Sequence, residues 1–194
     1  MKKLFISTIV LFIIKSLIPK YDILVNKKHG LSKNYKPNDL VYLNLKCSNK
    51  NKQLRKKAAY SFEKMCDDAS KLGYRIVAVS AYRSYYYQKE LYNSYSKVKD
   101  PTFFSAKAGY SEHQTGLALD IEGSNYDYNK FLYSKEYKWI KDNSYKYGFI
   151  IRYPEYKEKI TGYKFEPWHL RYVGKIATYL YKNNLTLEEY KKTH

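Results

Sequence analysis

Residues 111–120 have the sequence S-E-H-Q-T-G-L-A-L-D, which combines a strand-like alternation with a histidine and an aspartate seven positions apart. From residue 117 to 121 the sequence alternates between large aliphatic residues and Ala118 or Asp120. On a β-strand the aliphatic side chains would face the core, and Ala118 and Asp120 would face the opposite side. Small Ala118 would leave room beside Asp120 for a metal ion, although a carboxylate there could also simply begin a turn. His113 lies just ahead of the predicted strand.

Two residues far downstream have the chemical types that would complete a catalytic metal site. His169 lies three residues after Glu166. Two imidazoles and one carboxylate are suitable zinc ligands, and three protein ligands leave a fourth position for water. Glu166 is then the candidate base, because the base must not itself be a ligand. Glu112 and Glu122 directly flank the ligands, so we expect their side chains to point away. Isolated His and Asp residues are also often ordinary hydrogen-bonded polar groups.

Arg83 lies where a predicted buried strand ends and a helix begins. Residues 75–81 are short, apolar and partly β-branched, which indicates a strand, and Ser84 is a suitable N-cap for a helix over 85–96. An arginine at this junction would be held at the sheet edge, where it could stabilise an oxyanion or bind a substrate carboxylate. An arginine with no such role, exposed on the surface, is the alternative.

Apolar periodicity and capping residues predict the remaining elements. Helices are predicted over 52–72, 135–147, 174–183 and 186–192, and strands over 149–152 and 163–172. Residues 20–46 are predicted to be an irregular lead-in, and 100–109, 124–129 and 154–162 to be loops or turns. Pro167 interrupts the last strand, and such an irregularity could bring Glu166 and His169 to the same pocket.

The composition indicates one domain and argues against a nucleic-acid partner. A chain of 194 residues is the usual size of one domain. The formal net charge is +18, but the lysines are spread along the chain rather than clustered beside aromatic platforms. We therefore expect no nucleic-acid binding, and a basic surface would suit an anionic cell envelope.

Residues 1–18 are predicted to be a signal peptide or a membrane anchor, followed by a domain over residues 19–194. A short basic start precedes an apolar run over 4–14, which has the length of a signal peptide and is short for a membrane span of ~20 residues. No A-x-A cleavage site follows, so cleavage and retention both stay open, and a buried helix of the domain is the alternative. We expect an exported protein, at the cell surface or wall.

The two cysteines, Cys47 and Cys66, form no metal-binding pattern. Cys66 falls on the apolar face of the predicted helix over 52–72, so a small buried thiol is the favoured interpretation. A Cys47–Cys66 disulfide is the alternative if the protein is exported.

The motif S-x-H-x-x-G-x-A-x-D over 111–120, followed by Glu-x-x-His over 166–169, resembles the VanY-type zinc D-alanyl-D-alanine carboxypeptidases. The segments Y-R-S…Q over 82–88 and E-P-W-H over 166–169 match as well, and the resemblance extends from about residue 23 to 190. It implies the following site residues: His113, Asp120 and His169 for zinc, Glu166 as base and then acid, Arg83 for the tetrahedral intermediate, and Gln88, Ser111 and Trp168 for the substrate.

The same resemblance implies an α+β fold in which a small antiparallel sheet carries the zinc site and helices pack on it. The VanY-type family shares this fold with D-Ala-D-Ala dipeptidases and murein endopeptidases. The implied function is removal of the C-terminal D-Ala from peptidoglycan stem peptides. Separately from the resemblance, we expect a monomer. L,D-carboxypeptidase action on tetrapeptide stems is one alternative. A zinc-stabilised wall-binding module without turnover is another, and loss of the base would be its mark.

Overall fold

The computed structural model describes residues 21–95, 105–124 and 128–194, with only the backbone of residues 128 and 129. The predicted signal peptide or anchor, the first part of the loop over 100–109, and residues 125–127 of the turn over 124–129 lie outside the described residues. Among the helices of the described ranges, none is long and apolar enough to cross a membrane.

The described ranges form short strands and helices that alternate along the chain. The strands are β1 (Leu40–Tyr42), β2 (Gln53–Arg55), β3 (Val77–Ser80), β4 (Ala118–Glu122), β5 (Phe149–Ile151) and β6 (His169–Tyr172). The α-helices are α1 (Lys56–Lys71), α2 (Tyr85–Ser94), α3 (Tyr128–Phe131), α4 (Lys135–Asn143), α5 (Glu158–Thr161), α6 (Ala177–Lys182) and α7 (Leu187–Thr193). Short 3₁₀ turns cover Glu112–Thr115, Ser144–Tyr147 and Gly174–Ile176.

The central element is a four-stranded antiparallel sheet with the strand order β3-β4-β6-β5. A register shift between Ala78 and Ser80 marks an irregularity in β3. Strands β1 and β2 form a separate antiparallel pair. The predicted fold class, an α+β domain built on a small antiparallel sheet, is therefore confirmed.

The two faces of the sheet have different chemistry, as the alternation over 117–121 predicts. On one face, the aliphatic residues of that segment and Leu170 are fully buried in a core that also contains Phe62 and Met65 of α1. On the other face, Ala118 pairs with Arg171, and Asp120 pairs with His169. The sheet thus holds its polar and ionisable side chains together, on the side away from the main core.

Local capping signals position most helices correctly. The side chains of Ser84, Ser134 and Thr186 accept hydrogen bonds from backbone N–H groups of α2, α4 and α7, and Thr186 and Glu189 form the predicted capping box. The start of the first long helix was predicted wrongly, because residues 53–55 pair with β1 as strand β2 and α1 begins only at Lys56. The last strand begins at His169 rather than at residue 163.

The favoured interpretation of the cysteines is also wrong. Cys47 and Cys66 form a disulfide with a Cα–Cα distance of 6.0 Å, and both residues are buried. The bond ties the segment before β2 to the middle of α1. The prediction failed because the loop ahead of β2 folds back onto the helix, which the helical periodicity alone does not reveal.

Candidate active site

The first candidate ligand, His113, is fixed by the backbone around it. It lies in the 3₁₀ turn that precedes β4, and its Nδ1 donates a hydrogen bond of 2.7 Å to the carbonyl oxygen of Ala81. Gly116 ends the turn at a φ of 65°, a conformation that favours glycine. Because Nδ1 carries the proton, Nε2 keeps its lone pair, and this nitrogen lies 3.3 Å from Asp120 Oδ2.

Strand pairing brings the other two candidate ligands together. Asp120 in β4 lies directly opposite His169 in β6, and His169 Nδ1 is 3.0 Å from Asp120 Oδ1. The potential ligand atoms of His113, Asp120 and His169 all lie within 4.8 Å of one another. The antiparallel register therefore brings together side chains from as far apart in the sequence as His113 and His169, which are 56 positions apart.

Charges in the cluster fit a cation at its centre. Burial and then the Arg83 guanidinium lower the pKa of His113 to about 4, so this ring is neutral and its lone pair faces a carboxylate. Burial by itself would raise the pKa of Asp120, but the hydrogen bond and charge of the neighbouring His169 help to hold it well below its usual range. Two lone pairs that face each other at 3.3 Å are unfavourable unless a positive charge lies between them. Two imidazoles and a carboxylate are donors suited to zinc.

The predicted base, Glu166, reaches the same pocket through a tight turn. The N–H of His169 donates to the carbonyl oxygen of Glu166, which places Glu166 Oε2 3.7 Å from His169 Nδ1. Burial raises the pKa of the Glu166 carboxyl to about 7. A carboxyl group with this pKa can both accept and return a proton near neutral pH.

Arg83 follows β3, which borders β4 on the side away from β6. Its backbone N–H donates to the carbonyl oxygen of His113, and its Nη2 lies 4.0 Å from Asp120 Oδ2. The Nε atom is buried and has no hydrogen-bond partner among the described residues. The predicted helix cap at Ser84 follows directly, so the guanidinium is positioned by the junction of β3 and α2.

The three predicted substrate contacts lie in different surroundings, and their roles stay predictions. Gln88 is buried, and its Nε2 donates to Ser105 Oγ and to the carbonyl oxygen of Ala106. Ser111 is buried at the start of the 3₁₀ turn, and Trp168 is partly buried against the core. Gln88 thus holds the segment at residues 105 and 106, while its Oε1 has no hydrogen-bond partner in the described part of the chain.

One glutamate was misjudged from the sequence. Glu112 was expected to point away from the ligands, but its side chain is fully buried and its Oε2 lies 3.5 Å from His169 Nε2. In a 3₁₀ turn successive side chains are about 120° apart rather than on opposite sides, so Glu112 turns towards β6. Two buried arginines, Arg152 and Arg171, surround this carboxylate.

The sequence does contain a signal for this buried group. Arg152 directly follows the apolar strand β5, and Arg171 stands inside the buried strand β6. A charged residue within or just after a buried strand is rarely left without a partner of opposite charge. Burial by itself would raise the pKa of Glu112, but the two guanidinium groups hold it well below its usual range.

Comparison with known proteins supplies the family. The sequence profile of VanY, D-alanyl-D-alanine carboxypeptidase, matches residues 51–175. The matched range contains the three candidate metal ligands. It also contains Glu166 and Arg83.

The chain belongs to the VanY family.

The similarity to individual VanY-family proteins and their structural relatives is extensive. The putative carboxypeptidase YodJ of Bacillus subtilis (strain 168) is 47% identical over 178 residues, which are 86% of this chain and 65% of that protein. The solved structure of the LdcB LD-carboxypeptidase has a TM-score of 0.82 and 47% identity, covering 87% of this chain and 84% of that chain. The D,D-pentapeptidase VanY from a VanB-type resistance cassette, solved as a mutant in complex with Zn(II), has a TM-score of 0.74 and 32% identity over 88% of this chain and 98% of that chain.

The chain spans between 43% and 65% of the length of the first three curated relatives. The fold agrees with that of the dipeptidase relatives too, since a D,D-dipeptidase VanXYg structure has a TM-score of 0.77.

Proposed function

We propose that this chain is a zinc carboxypeptidase that removes the C-terminal D-Ala from peptidoglycan stem peptides. The observation that carries the proposal is the cluster of His113, Asp120 and His169, whose ligand atoms lie within 4.8 Å of one another, with Glu166 beside it. The Zn(II) complex of VanY and a VanYB complex with D-alanine-D-alanine, both from relatives at 32% identity, support the metal and the substrate class.

The side chains divide the work of peptide hydrolysis between them. Bound zinc would supply a Lewis acid that makes water more acidic and polarises the scissile carbonyl. Glu166 takes the proton from the attacking water, and the new C–O bond forms at the carbonyl carbon. Arg83 stabilises the negative charge that develops on the carbonyl oxygen. Glu166 then gives its proton to the amine nitrogen as the C–N bond breaks, and D-Ala leaves.

A wall-binding module without turnover is the competing class, and the position of Glu166 argues against it. A carboxylate at 3.7 Å from a ligand, with its pKa raised to about 7 by burial, is suited to proton transfer. The substitution Glu166→Ala should therefore abolish turnover while zinc stays bound. Retained turnover would contradict the role of Glu166.

Two specificities compete within the enzyme class. D,D-carboxypeptidase action on stems that end in D-Ala-D-Ala is the first candidate, and the VanY match supports it. L,D-carboxypeptidase action on tetrapeptide stems is the second, and the higher likeness to LdcB supports it. The test is to incubate the zinc-loaded chain with each muropeptide and to record product masses. Release of D-Ala from one substrate identifies the specificity, and release from neither would refute the proposed activity.

Metal content tests the site separately from the substrate. Elemental analysis of protein purified without added metal should find about one zinc per chain. The His113→Ala variant should lose it. Background zinc in well-folded wild-type protein would refute the metal site.

We also propose that the protein works outside the cytoplasm. The Cys47–Cys66 disulfide supports this location, because such bonds persist mainly in oxidising compartments. Extraction of cell-wall, membrane and cytoplasmic fractions, followed by detection of the protein with an antibody, would show the location. A wholly cytoplasmic protein with free thiols would refute it.

A further inference from the structure

The metal ligand His169 has a second ring nitrogen that faces a buried carboxylate. Its Nδ1 points to Asp120 and the candidate metal position, while its Nε2 lies 3.5 Å from Glu112 Oε2. Neither Nε2 nor Oε2 has a hydrogen-bond partner among the described residues, and both atoms are buried. Shortening this distance by about 0.3 Å would bring it into hydrogen-bond range.

The ring of His169 is packed so that its two nitrogens keep these directions. The His113 ring meets it edge-on with 5.1 Å between ring centroids. The Tyr153 ring lies tilted against it at 5.0 Å, and the Arg152 guanidinium covers Tyr153 at 4.9 Å. The imidazole therefore has little room to turn away from either carboxylate.

The other carboxylate oxygen of Glu112, Oε1, is held by two arginine side chains. Glu112 Oε1 accepts hydrogen bonds from Arg152 Nε at 2.8 Å and from Arg171 Nη1 at 2.6 Å. The side chains of all three residues are completely buried. The two arginines thus fix the carboxylate so that its second oxygen points at His169.

More distant segments hold the arginines in turn. Arg152 donates two hydrogen bonds to the Glu188 carboxylate in the first turn of α7, at 2.9 and 2.7 Å. Arg171 Nη2 donates to the carbonyl oxygens of Tyr21 and Ile23. Both ends of the described chain therefore contribute to the position of Glu112.

We infer that Glu112 is a positioning residue for the metal ligand His169. Its Oε2 accepts the Nε2–H of the ring, so that the Nδ1 lone pair is left for the metal ion. Carboxylates that fix a metal-binding histidine in this way raise metal affinity by about 10- to 100-fold. The inference rests on the proposed zinc site, although not on its specificity for any peptide.

The test uses Glu112→Gln and measures zinc affinity by competition with a chelator. The single carbonyl of glutamine would be taken by the two arginines, which leaves its NH₂ group facing Nε2. Nε2 would then accept a hydrogen bond, and the proton of the neutral ring would lie on Nδ1. A protonated Nδ1 has no lone pair for a metal ion. Zinc affinity should fall by about 10- to 100-fold. Unchanged affinity in the variant would overturn the inference, whereas a wild-type chain that binds no zinc would refute the zinc site itself.

Glu188→Gln is the matched control, because it removes one buried negative charge from the same network without changing the atoms that face His169. It should lower stability in urea unfolding but keep zinc affinity close to wild type. If both variants lose zinc affinity equally, the network is merely structural and the inference fails.

The tautomer provides a second readout that remains useful if one variant folds poorly. Two-bond ¹⁵N–¹H correlation spectra of the zinc-loaded wild-type chain should show His169 protonated at Nε2. The chain has only four histidines, so single substitutions can assign the signals. Protonation at Nδ1 in the zinc-loaded protein would overturn the inference.

Discussion

The Cys47–Cys66 disulfide allows a quantitative prediction of stability. The bond joins residues 19 positions apart, and both are buried. In the loop-closure description, cross-linking a loop of this length lowers the entropy of the unfolded chain, which raises the free energy of unfolding by about 3 kcal/mol. For a chain of this size, that corresponds to a melting temperature about 6–12 °C higher in the oxidised protein.

The assay is urea unfolding of the wild-type chain with and without reductant, followed by tryptophan fluorescence. Comparing two redox states of one sequence leaves the core packing unchanged except for the S–S bond. The double variant Cys47→Ser and Cys66→Ser is the control, and its midpoint should not respond to reductant. Two free thiols in untreated protein that folded under oxidising conditions would refute the pairing. A stability that stays the same after confirmed reduction would refute the loop-closure argument.

The remaining predictions concern the site and the turn that shapes it. Glu166→Gln should lower kcat by about 10²- to 10⁴-fold with zinc still bound, because the amide cannot accept the proton. Steady-state kinetics and metal analysis are the measurements. A wild-type kcat in the zinc-loaded variant would contradict the role of Glu166. Arg83→Lys should lower kcat/KM by about 10²- to 10³-fold, since the lysine lacks the planar fork. Wild-type kinetics in that variant would exclude Arg83 from oxyanion stabilisation. Gly116→Ala should destabilise the fold by about 1–3 kcal/mol, because alanine is strained at a φ of 65° and its Cβ would lie 2.8 Å from Leu40 Cδ2. An unchanged urea midpoint would contradict this.

Features that depend on neighbouring residues could be predicted from the sequence. Helix α2 begins after Ser84 and helix α4 after Ser134, because a capping side chain bonds to the N–H group three residues later in the same segment. The alternation over 117–121 sets which side chains of β4 enter the core, because side chains on a strand alternate between faces. The same alternation leaves Asp120 on the face that carries the candidate metal site.

Family resemblance indicated which chemistry to expect, a question that spacing alone left open. The types and positions of His113, Asp120 and His169 indicated a metal site, and the structure brings their ligand atoms together. Spacing along the chain could not show this, because the register of β4 against β6 decides that Asp120 lies opposite His169.

Contacts that join distant parts of the sequence could not be predicted and are seen only in the folded chain. Strand β2 looked like the start of a helix, because its partner β1 lies in a segment that was predicted to be irregular. Cys66 looked like an isolated core residue, because its partner Cys47 lies outside the helix. Glu112 shows the limit most clearly, since its arginine partners are 40 and 59 residues away. Most local elements and the residue types of the site could be predicted from neighbouring residues. The packing of β5, β6 and α7 decided that a buried glutamate faces the candidate metal ligand His169, because burying its charge requires partners that only the folded chain can supply.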